Sequence, residues 1–359
     1  RARRAVGRMP WAGRTWLRRA EADAQRGAAA CSLAYEPPVV ADLQALAQRL
    51  RLDRGLRALS LEGAHLGGHG AESLALALTG HGALEVLSLR ENCFGREAAR
   101  HLAALLRKST TLRALDVSCN PIMDAGARCI AGALLRNHAL QKLDLHCTGL
   151  GCSGAWHIAS ALQDNHTLQA LLINDNFIGD ACMQHMARAL SRSSLRTLHL
   201  ARVGLSAAGL GRLVAALRGR EGLRALWLGG NCLGEEGARH LARALRENRS
   251  LRFLHVAGAR LGSTGVSCLA GALRANRTLQ VLDVSGSRFC QGAALELLAA
   301  LQETRTLCEL RMAGASVPES TRAAIEEALE SAPADRAEGT EDTDAAFAAY
   351  RPEWPPAPG

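Results

Sequence analysis

Apolar residues recur along the chain in a fixed order, and the segment 223–245 (LRALWLGGNCLGEEGARHLARAL) shows one complete period. Its first half reads L-x-x-L-x-L-x-x-N-x-L-G, whose alternating leucines predict a short strand that ends in a turn near Asn231. Its second half places Ala238, Leu241 and Leu245 at intervals of three and four residues, which predicts a helix. Neither element can bury its apolar side alone, so the pattern predicts a strand and a helix that pack against each other.

This unit occurs ten times. The spacing between the first leucines is 28 residues, except for one interval of 27, and they are Leu56, Leu84, Leu112, Leu140, Leu168, Leu195, Leu223, Leu251, Leu279 and Leu307. A constant period of this length predicts a solenoid, in which each unit packs on its neighbours and the strands form one sheet.

The flanking sequence predicts three regions. Residues 1–38 form a basic N-terminal extension, for which an organelle transit peptide, a basic binding arm and a poorly ordered segment all stay open. Residues 39–330 form the solenoid, with a capping helix at each end. Residues 331–359 contain six acidic residues, two arginines and five of the ten prolines, which predicts a flexible tail. Its three aromatic residues form a candidate docking motif: Phe347, Tyr350 and Trp354.

The strand motif resembles the leucine-rich repeat family, and the 28-residue length with the helix pattern G-A-x-x-L-A-x-A-L is similar to its ribonuclease-inhibitor subclass. Nucleotide-oligomerisation-domain-like receptors and Ran GTPase-activating protein share that subclass. The resemblance implies an α/β solenoid of horseshoe form, with a parallel sheet on the concave face and helices outside. It implies partners such as nucleases, small GTPases, immune-signalling proteins or components of larger assemblies. The net charge of +9 argues against an equivalent of ribonuclease inhibitor, which binds basic enzymes through an acidic face.

Two sets of asparagines are in phase with the repeat. Asn92, Asn120, Asn176 and Asn231 follow strands, where the resemblance implies that their amides bond to the backbone of adjacent turns. Asn137, Asn165, Asn248 and Asn276 precede the next strand leucine by three residues, and we expect them to end helices in the left-handed conformation. Three of these lie in glycosylation sequons, but their common phase favours a structural role.

The sequence carries none of the short motifs typical of phosphate-binding loops, zinc proteases or serine hydrolases. We therefore expect a non-enzymatic protein without cofactor or metal. Eleven cysteines without regular close spacing favour reduced thiols and a cytosolic or nuclear compartment. One cluster, Cys119, His146, Cys147 and Asp175, is expected on adjacent strands, and we interpret it as ordinary polar residues rather than a zinc or nucleophile site. No apolar run is long enough to cross a bilayer.

Recognition is expected on the concave face, to which the residues two, four and six positions after each first leucine project. An acidic spot is predicted at Asp116 and Asp144. Repeats five to nine gather a candidate partner-binding patch, which consists of Leu172, His199, Trp227, Phe253, His255 and Val281. Aromatic residues are only 3% of the chain, so their presence on a solvated face suggests a binding hot spot. The patch hypothesis predicts that Trp227→Ala abolishes partner binding without changing thermal unfolding.

Arginines also recur in phase and predict a basic rim along one edge of the solenoid. One set follows the first strand leucine and comprises Arg57, Arg113, Arg196, Arg224 and Arg252, while a second set follows the helices and includes Arg218, Arg246 and Arg274. Cations at helix ends explain part of this pattern. A continuous rim would also hold an acidic protein or a nucleic-acid backbone.

We interpret the chain as a protein-protein interaction scaffold that binds a partner through its concave face as part of a complex. Two alternatives stay open: a structural subunit of a large organellar or cytoskeletal (ciliary) assembly, and a Ran-type GTPase activator. The expected compartment is the cytoplasm, with an organelle or the cilium and cytoskeleton as alternatives.

Overall fold

The computed structural model describes residues 30–32, 40–52, 55–217, 222–304 and 306–330. Strands and helices alternate throughout. The strands, each of three residues, are β1 (Ala30–Ser32), β2 (Ala58–Ser60), β3 (Val86–Ser88), β4 (Ala114–Asp116), β5 (Lys142–Asp144), β6 (Ala170–Leu172), β7 (Thr197–His199), β8 (Ala225–Trp227), β9 (Phe253–His255), β10 (Val281–Asp283) and β11 (Glu309–Arg311).

One helix follows each strand. The helices are α1 (Val40–Leu52), α2 (Gly67–Leu78), α3 (Arg96–Lys108), α4 (Met123–Leu134), α5 (Cys152–Leu162), α6 (Met183–Leu190), α7 (Ala207–Val214), α8 (Gly234–Glu247), α9 (Gly262–Leu273), α10 (Gln291–Glu303) and α11 (Glu319–Glu330). A short 3-10 helix, Ala215–Leu217, continues α7.

The strands form one parallel sheet whose order is the order of the chain, from β1 to β11. Equivalent positions of successive repeats pair across the sheet; Leu226, for example, lies opposite Leu198 on one side and Leu254 on the other. Parallel strands need a crossover connection, and the helix of each repeat provides it. The predicted α/β solenoid of leucine-rich repeats is confirmed.

The solenoid begins earlier than the sequence predicted. Strand β1 pairs in parallel with β2, and it lies inside the region expected to be an N-terminal extension. Cys31 occupies the position opposite Leu59 and is buried. Because a cysteine replaces the inward-facing leucine here, the repeat motif did not detect this strand. With α1 it completes a strand-helix unit before the first predicted repeat. The rest of the predicted extension lies outside the described residues.

The main core lies between the sheet and the helices. Inward-facing strand leucines such as Leu226 and Leu228 are fully buried and belong to one cluster with helix residues such as Ala238 and Leu241. Burying a leucine side chain contributes roughly 1.5–3 kcal/mol. The opposite side of the sheet, which the described helices do not cover, is called the concave face below.

The first asparagine series forms the predicted ladder between turns. The Asn120 amide group donates to the carbonyl oxygens of Leu89 (2.9 Å) and Val117 (2.9 Å). Its carbonyl oxygen accepts from the backbone N–H groups of Asn92 (2.8 Å) and Phe94 (2.9 Å). A single buried side chain thus satisfies backbone groups of two repeats.

The second asparagine series does not adopt the predicted left-handed conformation. Asn248 has φ −76° and ψ 138°, and it acts through its side chain instead. Its amide donates to the carbonyl oxygen of Leu217 (2.7 Å), and its oxygen accepts from the N–H of Leu251 (2.7 Å). All four asparagines of this series are buried, which agrees with the structural role and not with glycosylation.

Within the described ranges, no helix combines the length and apolar character that a membrane crossing requires.

Candidate binding surface on the concave face

The strands place the predicted patch residues on the concave face. Trp227 and Phe253 form an apolar cluster with Ala225 and Val281 that is separate from the main core. All four side chains stand two or four positions after a first leucine, and alternation along a strand directs such positions away from the helices. Leu172, His199 and His255 occupy equivalent positions on neighbouring strands of the same face.

The aromatic rings of this cluster form a continuous stack across three strands. The centroids of His199 and Trp227 lie 3.8 Å apart with the ring planes at 32°. The centroids of Trp227 and Phe253 lie 4.3 Å apart with the planes at 31°. His199 and Trp227 are in register on adjacent strands, which lie about 4.8 Å apart, whereas Trp227 and Phe253 are diagonal neighbours, since Phe253 pairs with Ala225. We call His199, Trp227 and Phe253 the aromatic row.

The expectation of a solvated patch is wrong. The exposed fraction of the side chain is 1% for Trp227, 0% for Phe253 and 2% for Leu172. His199 and Val281 are buried as well, and only His255 is half-buried. Stacking along the sheet covers the ring faces, which the sequence pattern alone did not indicate. The structure therefore brings the patch residues together on the concave face, but most of their side chains are packed against each other and are not exposed to solvent.

The two histidines of the patch are held in their uncharged form. Burial lowers the pKa of His199 to about 3, and its Nδ1 lies 3.4 Å from the amide nitrogen of Asn174. Burial also lowers the pKa of His255, although the nearby Asp283 opposes this effect; His255 Nε2 lies 3.4 Å from Asp283 Oδ2. At neutral pH the ring of His199 therefore packs as an apolar surface.

The predicted acidic spot is present on β4 and β5, where Asp116 and Asp144 are paired across the sheet. Burial, and after it the charge of Asp116, raises the pKa of Asp144 to about 7. Each carboxylate also accepts a hydrogen bond from a backbone N–H two residues later, Ser118 (2.8 Å) and His146 (2.9 Å). These aspartates thus help to end their strands.

The structure pairs two members of the cysteine and histidine cluster with each other. His146 Nδ1 lies 3.1 Å from Asp175 Oδ2, and Arg202 Nη2 donates to the same carboxylate at 2.7 Å. Burial raises the pKa of Cys119 to about 11, so its thiol is a poor nucleophile at neutral pH. Over the described ranges, no group of three or more histidine, cysteine or acidic side chains is arranged to hold a metal ion.

The arginines do not form the continuous basic rim that the sequence predicted. Arg57 and Arg113 flank Glu85, with nitrogen to oxygen distances of 3.7 and 3.8 Å. Arg274 pairs with Glu303 at 3.1 Å. Acidic residues from neighbouring repeats therefore neutralise these parts of the rim. Arg246 is exposed at the end of α8, and Arg218 lies outside the described residues.

The remaining rim arginines line a groove of about 740 Å³ at the edge where the strands begin. Its lining comprises Arg196, Arg224, Arg249, Arg252, Arg277, Gly222, Ser250, Thr278, Gln280 and Thr306, which we call the arginine groove. None of these lining residues carries a carboxylate. Arg249 and Arg277 were not predicted, although the sequence holds their signal: both occupy the second position of an N-R-[ST]-L motif before a strand.

The comparisons with known proteins agree with this architecture. A family model described as a leucine-rich repeat matches residues 108–131 and 247–270. Together with the in-phase repeats and the parallel strand-helix units, this match identifies the chain as a leucine-rich repeat protein. The ribonuclease-inhibitor subclass stays a resemblance. No protein with a curated description matches the chain in sequence.

Two solved structures are among those to which the chain is similar. An internalin from Listeria monocytogenes is 13% identical, with 83% of this chain and 85% of that chain covered and a TM-score of 0.47. The structure described as leiomodin-1 actin-binding site 2 is 19% identical, with 40% of this chain and 79% of that chain covered and a TM-score of 0.30.

Proposed function

We propose that this chain is a non-enzymatic scaffold that binds a protein partner through its concave face. Leucine-rich repeats are typically interaction modules, and a solenoid offers an extended surface for that purpose. The side chains that distinguish one such protein from another lie on the face that the repeat motif leaves free.

The aromatic row carries this proposal. The main core lies between the sheet and the helices, and Trp227 and Phe253 form a second cluster on the opposite face that the repeat motif does not specify. Clusters of packed aromatic residues surrounded by polar groups are typical of binding hot spots. Here the half-buried Thr197 and His255 adjoin the row, and the pair of Asp175 and Arg202 lies at the carboxyl edge of the strands. A partner would contact this border first.

The chemistry of the site supports a binding role rather than catalysis. The thiol of Cys119 has a raised pKa, and His199 is uncharged and buried. His146, the candidate base, pairs with Asp175 rather than with a nucleophile. An activated nucleophile needs a hydrogen-bonded base, and these residues do not form such a pair.

Blocking the concave face tests the proposal without disturbing the core. Thr197→Arg places a long cation beside the aromatic row, and Leu76→Arg places the same side chain on the exposed surface of α2, where Leu76 is 59% exposed. Each variant is used as bait for affinity purification from cells of the source, with quantitative mass spectrometry. The proposal predicts a set of proteins retained by wild type and Leu76→Arg but lost with Thr197→Arg. Equal retention by both variants would refute it.

A further inference from the structure

The arginine groove is a strongly basic site. Five arginines line it, and three of them, Arg196, Arg252 and Arg277, form no ion pair with any described residue. By contrast, Arg57 and Arg113 share Glu85 on the same edge. Assembling several guanidinium groups around one hollow is unfavourable unless an anion compensates their repulsion. The groove therefore fits an acidic ligand.

The groove and the aromatic row lie on the same strands. Arg224 precedes the strand that ends in Trp227, and Arg252 directly precedes Phe253. At about 3.3 Å per residue, the basic edge and the aromatic rings are within roughly 10 Å of each other. A ligand that follows the strands would meet arginines first and aromatic rings next. An acidic segment followed by aromatic residues matches that order.

Residues 331–359 have this composition. Five acidic residues, from Asp335 to Asp344, come first, and Phe347, Tyr350 and Trp354 follow. The segment as a whole has six acidic residues and two arginines, a net charge of −4. Its charge is thus opposite to that of the groove, and its aromatic residues are of the type already stacked in the row.

The tail also leaves the solenoid at the correct edge. Each helix runs back to the edge where the next strand begins, as Arg249 and Ser250 show by connecting α8 to β9 and lining the groove. The last helix, α11, packs on α10 and ends at Glu330 on that same edge. From β11 to β9 is about 10 Å at the usual strand spacing, whereas fourteen extended residues span up to roughly 45 Å.

We propose that residues 331–359 bind back to their own chain, with the acidic part in the arginine groove and the aromatic part against the half-buried Thr197 and His255 that border the aromatic row. The tail then occupies the surface assigned above to the partner and competes with it. This inference concerns the face of the proposed function, but its test involves no partner, so the two can fail separately.

Photo-crosslinking within the full-length protein tests this contact. Benzoylphenylalanine replaces Phe347, and crosslinked peptides are mapped by mass spectrometry in the product of monomer mass. We expect crosslinks to the segments 222–228 and 249–256. The double variant Arg249→Glu/Arg277→Glu reverses the charge at two exposed positions of the arginine groove. It should lower the crosslinked fraction about tenfold, which corresponds to about 1.4 kcal/mol.

A matched control carries the same charge change elsewhere. Arg128→Glu/Arg136→Glu alters two exposed arginines on and after α4, outside the groove, and should leave the crosslinked fraction unchanged. Adding Glu341→Arg and Asp342→Arg to the groove variant should restore the crosslinks, which a folding defect would not allow. Crosslinks to other segments, equal yields from groove and control variants, or a product of dimer mass would each overturn the proposal. One further outcome would overturn it: the wild-type full-length protein binds a labelled oligonucleotide in the groove, and the crosslinks from position 347 map to segments outside the groove.

Discussion

Replacing Trp227 by alanine removes the central ring of the aromatic row and should destabilise the solenoid. The ring lies between His199 and Phe253, with centroid distances of 3.8 and 4.3 Å, and only 1% of the side chain is exposed. Alanine would leave a cavity bordered by both neighbouring rings. The pattern of the sequence suggested an unchanged unfolding temperature for this variant, and the burial of Trp227 reverses that expectation.

The magnitude follows from the buried area. A fully buried tryptophan removes about 150–250 Å² from water, which at about 25 cal/mol per Å² corresponds to roughly 4–6 kcal/mol as an upper value. Large-to-alanine substitutions at buried aromatic positions cost about 3–5 kcal/mol. We therefore expect a loss of about 4 kcal/mol in the free energy of unfolding of the repeats around β8.

Urea denaturation followed by far-ultraviolet circular dichroism measures this loss. Trp156→Ala is the matched control, because Trp156 lies on α5 with 40% of its side chain exposed. That variant should stay within about 1 kcal/mol of wild type. If Trp227→Ala and Trp156→Ala were equally stable, the packing of the aromatic row would contribute nothing and the reasoning would be refuted.

Three further predictions concern the polar groups. The folded-state pKa of Asp144 is raised from 3.8 to about 7, so the folded state binds the proton more tightly than the unfolded state. The free energy of unfolding should therefore fall as pH rises between these two values. Asp144→Asn should weaken that dependence, which urea midpoints measured across this pH range would show. An identical pH profile for the variant would contradict this assignment. Asn120→Ala leaves buried backbone groups of two repeats without partners. At about 1–3 kcal/mol per unsatisfied group, the free energy of unfolding should fall by roughly 3 kcal/mol. A fall of less than about 1 kcal/mol would argue against the asparagine ladder. The exposed Cys290, whose pKa is lowered by its hydrogen bond with Ser263, should react with a maleimide faster than Cys119, and the opposite order in peptide mapping would contradict the pKa directions.

The fold could be predicted from the sequence because one requirement repeats in every unit. Each repeat must bury the same strand leucines and helix residues, so the 28-residue phase fixes which elements form and which face of each strand is inward. Among the strands that the structure describes, only β1 was not predicted, since Cys31 stands where the other strands have leucine. The asparagine ladder was equally accessible, because its role depends on a position within the repeat.

The site was less predictable because it depends on contacts between repeats. Alternation placed Trp227 and Phe253 on the concave face but did not show that their rings stack and are buried. The arginine series likewise predicted a uniform basic rim. In the structure, Glu85 neutralises one part of this rim, whereas the arginine groove has no carboxylate among its lining residues. Which neighbour satisfies a charge or covers a ring is a property of the stacked units and not of the repeat motif.

The central claim is that the concave face, and not the helix layer, is the surface that binds a partner. Benzoylphenylalanine placed at Thr197, beside the aromatic row, and at Leu76, on the exposed surface of α2, tests it directly when full-length protein is irradiated in cells. The account predicts a discrete crosslinked partner from Thr197 that is absent from Leu76. A partner captured from Leu76 and not from Thr197 would contradict it.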